Sequence, residues 1–342
     1  MDFFTNMQGF LGNLPNSTGF FLLETDKIRI KTVPNGAALF RVEIPDKTGR
    51  FSNIALPLPY PDACIRSGTH AGTTLGPVAG RVENGRLQIP DRSLQLAQNE
   101  GRNHLHGGPG GLSRQVWQTV HARPDQVAYR LDLPDGLDGY PGNRTFWVGY
   151  ALTGPAQLTI RYRVETDAPT PVSLSNHTYW NLSGDFAHPC TGHRLQIAAR
   201  QACWNDQEHL PRGVLDVAGT PLDFTRPQEP APHADHPQLH NALGYNNAYL
   251  LEGSPAVRLE HPASGRVLTM ETDLPALVFY SGGYLAGEPL EGGCAAESAA
   301  FALEPQERPG LPALVLPGQP WERWIRLTFS AEQMPRQRFF TR

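Results

Sequence analysis

Apolar and polar residues alternate in short runs along almost the whole chain, and turn-forming residues cut the runs. Between positions 156 and 166, Leu158, Ile160, Tyr162 and Val164 fall on one face, and Thr159, Arg161, Arg163 and Glu165 on the other. A period of two with one apolar face predicts a half-buried antiparallel strand. Residues 127–133 and 146–152 read as two more strands, joined across the turn-rich stretch 134–143. Residues 257–260 and 267–271 flank Pro262, Ala263, Ser264 and Gly265 and predict a hairpin, and Ile325, Leu327 and Phe329 form one last inward-facing strand. No helical periodicity is sustained over a dozen residues, and no internal repeat stands out. The pattern predicts an all-β protein, a large antiparallel β-sandwich.

Composition refines this expectation. The 342 residues include 34 Gly and 32 Pro, spread between the apolar runs as turns and not pooled in one tract as in disorder. A single domain over residues 1–342 is expected, with residues 1–17 as an irregular N-terminal extension. The Pro- and His-rich stretch 227–237 reads as a surface loop and not a boundary, because strand-like patterning continues on both sides. A net charge of -4 and the lack of any Lys/Arg run argue against a nucleic-acid partner. Cys64, Cys190, Cys203 and Cys294 lie far apart with no C-x-x-C spacing, which suits reduced thiols in a cytoplasm better than zinc or a disulfide framework. The N-terminus lacks the cationic start of a secretory signal, and no apolar run is long enough for a membrane span.

Candidate chemistry sits in a few unusually polar stretches. In Phe301-Ala302-Leu303-Glu304, alternation sends Glu304 to the face opposite Phe301 and Leu303, and Gln306 repeats its face between Pro305 and Pro309. A solvated glutamate at a strand end is the plain reading; its company argues for a positioned group. His177, in Asn176-His177-Thr178-Tyr179-Trp180-Asn181, would share an extended face with Tyr179 and Asn181. Aromatic bodies interleaved with donors and acceptors suit the apolar C–H faces and hydroxyls of a sugar. His106 lies at a turn sharpened by Gly107 and Gly108, and Arg81 follows a Gly/Pro-rich approach from which it could donate to a substrate oxygen or form a surface ion pair. An acid and a base are the minimum equipment for proton transfer on a hydroxylated substrate. His104 and His106 could instead be two metal ligands, with His177 and Glu304 completing the set.

Seven stretches, in order, resemble the aldose 1-epimerases, also called galactose mutarotases. They are G-R-V-E-N at Gly80 to Asn84, N-H-L-H-G-G at Asn103 to Gly108, D-G-x-x-G-Y-P-G at Asp135 to Gly142, and N-H-T-Y-W-N-L-S-G at Asn176 to Gly184. G-T-P-L-D-F at Gly219 to Phe224, G-Y-N-N-A-Y-L-L at Gly244 to Leu251 and L-E-P-Q-x-x-P at Leu303 to Pro309 complete the series. The resemblance covers residues from about 20 to 330 and implies a sandwich of the galactose mutarotase type. It implies an isomerase of free hexoses such as galactose or glucose that uses neither cofactor nor metal, with a small-molecule sugar as its partner. On this resemblance Glu304 is the base at the C1 hydroxyl and His177 the acid at the ring oxygen. Arg81, His106, Asn84, Tyr179 and Asn246 then belong to substrate binding.

The chain departs from the family's usual pattern at three places. Asn246 stands where an aspartate is usual, Ser113 and Arg114 where an acidic and a basic residue are common, and Gly283 where an asparagine is common. Two other functions stay open on sequence grounds. One is a non-catalytic carbohydrate-binding protein, and the other an epimerase of a phosphorylated or otherwise modified sugar, which would need a cationic cluster.

Overall fold

The period-two segments become strands because each has one apolar face to bury. The computed structural model describes residues 19–331, so the expected extension at 1–17 lies outside the described residues. One antiparallel sheet has eight strands, in the spatial order Gln118–Arg123, Gln126–Leu133, Arg144–Gly154, Gln157–Thr166, Trp321–Ala331, Arg266–Thr272, Val257–His261 and Arg194–Ile197. Both expected hairpins are present: Val127 pairs with Tyr150 and Leu133 with Arg144, while Val257 pairs with Met270 and His261 with Arg266. Leu158, Ile160, Tyr162 and Val164 are buried, as are Ile325, Leu327 and Phe329.

A second antiparallel sheet of six strands packs against the first, in the order Tyr179–Trp180, Phe301–Gln306, Ala276–Tyr280, Asn246–Leu250, Gln201–Asn205 and Pro211–Asp216. Phe279, Phe301 and Leu303 from this sheet share a core with Phe146, Ile160, Leu268 and Phe329 of the other. Trp180 meets Phe329 across the gap at a ring separation of 5.8 Å. This core makes the molecule a sandwich, and its geometry fixes which side chains of the six-stranded sheet point away from it.

On that outward side, Tyr179, Tyr280 and Ala302 join a second apolar cluster with Val33, Ala38, Leu58 and Cys64. Val33 and Ala38 come from an N-terminal four-stranded sheet, Phe21–Glu24 to Phe51–Asn53, Cys64 from the short helix Pro61–Arg66, and Leu58 from the segment that joins them. Among the described residues no helix is long and apolar enough to cross a membrane. The stretch 227–237 is mostly exposed and runs into the four-residue helix Pro237–His240.

Candidate active site

The covering layer leaves a pocket of about 410 Å³ over the outward face of the six-stranded sheet. Glu304 forms part of its floor. The strand Phe301–Gln306 is buried throughout, with Phe301 and Leu303 in the sandwich core and Glu304 and Gln306 lining the pocket. Glu304 is only 3% exposed, and burial pushes its carboxyl up to about 8, a rise that nearby Arg81 partly opposes.

His177 lies in a gap between the short strands Ser175–Asn176 and Tyr179–Trp180. Its N–H donates to the Thr73 carbonyl and its own carbonyl accepts from the Gly72 N–H, each at 2.9 Å, so a turn far away in sequence holds it. Its Nε2 stands 3.5 Å from Glu304 Oε1, and burial takes the imidazole down to about 4. The residues on which the acid and base reading rests therefore face each other. His177 Nδ1 and Gln306 Oε1 are both buried with no hydrogen-bond partner. Each such atom costs about 1–3 kcal/mol unless something pairs with it.

His106 arrives from the glycine turn. Gly107 sits at φ +91°, and a Cβ there would stand 1.7 Å from the Gly76 carbonyl oxygen, so only glycine lets the turn close on that backbone. The Gly80 N–H donates to His106 Nδ1 at 3.2 Å, which places the ring proton of neutral His106 on Nε2. Arg81 lies beside it, because Arg81–Val82 pairs with His104–Leu105. Its guanidinium makes a two-pronged contact with Glu100, Nε to Oε2 at 2.6 Å and Nη2 to Oε1 at 2.7 Å, and both residues line the pocket. The ring of Tyr179 is 4.8 Å from that of His177, and its hydroxyl donates to the Thr69 carbonyl. Asn246 lines the far wall, where its carbonyl accepts from Asn205 Nδ2 at 2.7 Å.

Not every expected residue gathers here. Asn84 is absent from the lining; its left-handed backbone (φ 53°) forms a turn whose carbonyl accepts from Gln95 and Gln98. Asn181, expected on the face of His177, instead ties the chain by donating to the Asp185 and Ala299 carbonyls. His104 points away from His106, bonding Tyr140 and the Ala97 carbonyl, because His106 adopts φ 51° and breaks the strand alternation. The H-x-H pairing of two metal ligands is thereby overturned, and among the described residues no group of three His, Cys, Asp or Glu side chains could hold a metal.

Conversely, His70, Glu100 and His209 line the pocket without having been singled out. Glu100 stands just upstream of the histidine-rich motif, and its charge beside Arg81 was the one available signal. His70 and His209 carry no motif; both sit at left-handed positions, φ 56° and 59°, which only the fold reveals.

The family model described as aldose 1-epimerase matches residues 20–328. Galactose mutarotase from Homo sapiens is 31% identical over 336 residues, spanning 93% of this chain and 97% of its own. Aldose 1-epimerase from Escherichia coli is 32% identical over 315 residues, spanning 87% and 90%. Among solved structures, an aldose epimerase homologue from C. elegans aligns with a TM-score of 0.84 at 26% identity, over 92% of this chain and 99% of that one. Galactose 1-epimerase from Lactobacillus acidophilus aligns with a TM-score of 0.80 at 28% identity, over 91% and 94%.

Proposed function

Since this chain belongs to the aldose 1-epimerase family, we propose that it interconverts the α and β anomers of free hexoses through one proton shared by Glu304 and His177. It is an isomerase of the mutarotase kind. The family match over residues 20–328 supports treating the chain as one catalytic domain. In the forward step Glu304 takes the proton of the C1 hydroxyl and His177 gives one to the ring oxygen. The ring opens, the C1–C2 bond rotates, and reversal of both transfers closes the opposite anomer. Each such group contributes about 10²–10⁴-fold.

The observation that carries this reading is the 3.5 Å approach of the two groups with their affinities for protons displaced in opposite directions. With Glu304 near 8 and His177 near 4, the pair holds one proton at neutral pH, resting on the carboxyl. Neutral carboxylic acid beside neutral imidazole is a tautomer of carboxylate beside imidazolium. A hydroxyl donating to Glu304 and a ring oxygen accepting from His177 both favour the second form, so sugar binding primes the pair.

Arg81, His106, Tyr179 and Asn246 then bind hydroxyls and sugar faces, while Asn84 serves through its turn. Asn246 supplies a neutral amide where the family usually offers a carboxylate, which supports a different preference among hexoses. The phosphorylated-sugar alternative finds no support in the lining. Arg81 is the one Lys or Arg among the described lining residues, and Glu100 already engages it. We place the reaction in a reducing cytoplasm on the strength of four free cysteines.

Polarimetry on freshly dissolved α-galactose tests the assignment. The wild-type protein should accelerate the change in rotation, and Glu304→Gln and His177→Asn should each abolish the acceleration. Binding of sugar by the wild-type protein without acceleration would make it a carbohydrate-binding module instead.

A further inference from the structure

Among the pocket imidazoles with no task in the transfer between Glu304 and His177 is His70. The ring of His70 lies 5.2 Å from that of His106 and 6.4 Å from that of His177, and the rings of His106 and His177 are 5.8 Å apart. Three imidazoles and a carboxyl within such reach would ordinarily compete for any proton that enters.

His106 is held out of that competition by the Gly80 N–H on its Nδ1. His70 is held out more firmly. Arg114 Nη2 lies 3.3 Å from His70 Nε2, and a guanidinium can only donate, so Nε2 must carry the lone pair. The ring proton therefore sits on Nδ1, which lies 2.9 Å from Ser113 Oγ. Arg114 is itself fixed by the carbonyls of Ile65 and Ser67 at 3.0 and 2.7 Å. The turn is fixed as well: the His70 carbonyl accepts from Thr73 Oγ1 at 2.7 Å, and neighbouring Gly72 and Thr73 hold the backbone of His177.

Resting on the assignment of Glu304 and His177 above, we infer that His70, locked in a neutral form by Arg114 and Ser113, is a positioning residue that reserves the pocket's single mobile proton for that pair. The groups around it are Arg114 and Ser113, which its ring nitrogens contact, and the rings of His106 and His177, which in turn stand near Arg81 and Glu304. Burial first, then the Arg114 charge, take His70 down to about 3, in keeping with this role. A charged His70 would oppose formation of the His177 imidazolium that protonates the ring oxygen.

Imidazole ¹⁵N NMR on the wild-type protein reads the lock without turnover. His70 should show the Nδ1–H tautomer and no protonation down to acid unfolding. An Nε2–H tautomer, or titration near the ordinary value of 6.5, would overturn the inference. Kinetics give the second arm. Arg114→Met frees Nε2, so the acid limb of the rate profile should move up by about 1 pH unit. The double variant Arg114→Met/His70→Phe should return it, whatever the absolute rate. A limb that stays displaced in the double variant would show that Arg114 acts on the site without His70. Absence of turnover in the wild-type protein would sink the assignment of Glu304 and His177 while leaving the NMR reading of His70 intact.

Discussion

Replacing Glu304 with glutamine should make the protein more stable as it removes its activity, and the gain should grow with pH. The folded state holds this carboxyl near 8, against an ordinary value of 4.5 for the exposed group. Below pH 4.5 folded and unfolded chains both carry the proton and the site costs nothing. As pH rises, the unfolded chain releases its proton first, so wild-type stability falls until the folded carboxyl also ionises. Between 4.5 and 8 the loss accumulates at about 1.4 kcal/mol per pH unit, reaching about 3 kcal/mol at pH 7 and about 5 kcal/mol above pH 8. Glutamine has nearly the same shape and stays neutral, so Glu304→Gln escapes the loss. Denaturant titrations at pH 5, 7 and 8.5 should show an advantage of about 1, 3 and 5 kcal/mol, with unchanged slopes, while polarimetry shows the rate gone. An advantage that is absent or constant with pH would mean that the carboxyl is not held protonated by burial. The account of a resting proton on Glu304 would then fail.

Three further outcomes follow from the same geometry. The rate should be bell-shaped in pH, falling below about 4, where both members of the pair are protonated, and above about 8, where neither is; a flat polarimetric profile between about pH 5 and 9 contradicts the pair. Asn246→Asp turns an ordinary hydrogen bond into a charge-assisted one, so KM for at least one hexose should fall by about 5- to 10-fold, and identical KM values across a panel of aldoses would refute a binding role. Glu100→Gln removes the carboxylate that aims Arg81, which should raise KM by about 3- to 10-fold with a smaller effect on kcat, since the partly exposed pair is screened by water; an unchanged KM would leave Arg81 positioned by other means.

The strand faces were legible because alternation is local. Phe301 and Leu303 needed the core, so Glu304 had to leave on the other side, and the hairpins at 127–152 and 257–271 followed from apolar faces and turn residues. Motif order brought His177, His106, Arg81, Tyr179 and Asn246 to one pocket. Where the chain turns left-handed, that logic failed. At His106 the alternation assumed for His104 and His106 breaks, and Asn84 bends the chain instead of facing the pocket. His70 was invisible for a different reason. Its place depends on Arg114 and on a backbone ladder to His177, contacts between segments that adjoin only once folding is complete.

The strand Phe301–Gln306 joins two duties in six residues, one side filling the sandwich interior and the other lining the pocket floor. Any change that loosens the packing of Phe301 or Leu303 also lets water reach Glu304 and draws its proton affinity back toward that of a free glutamate. Variation that retunes sugar choice has more latitude at the more exposed lining residues Tyr284, His209 and Asn205 than along this buried strand. Divergence among relatives should accordingly concentrate in the loops and spare the ribbon beneath them.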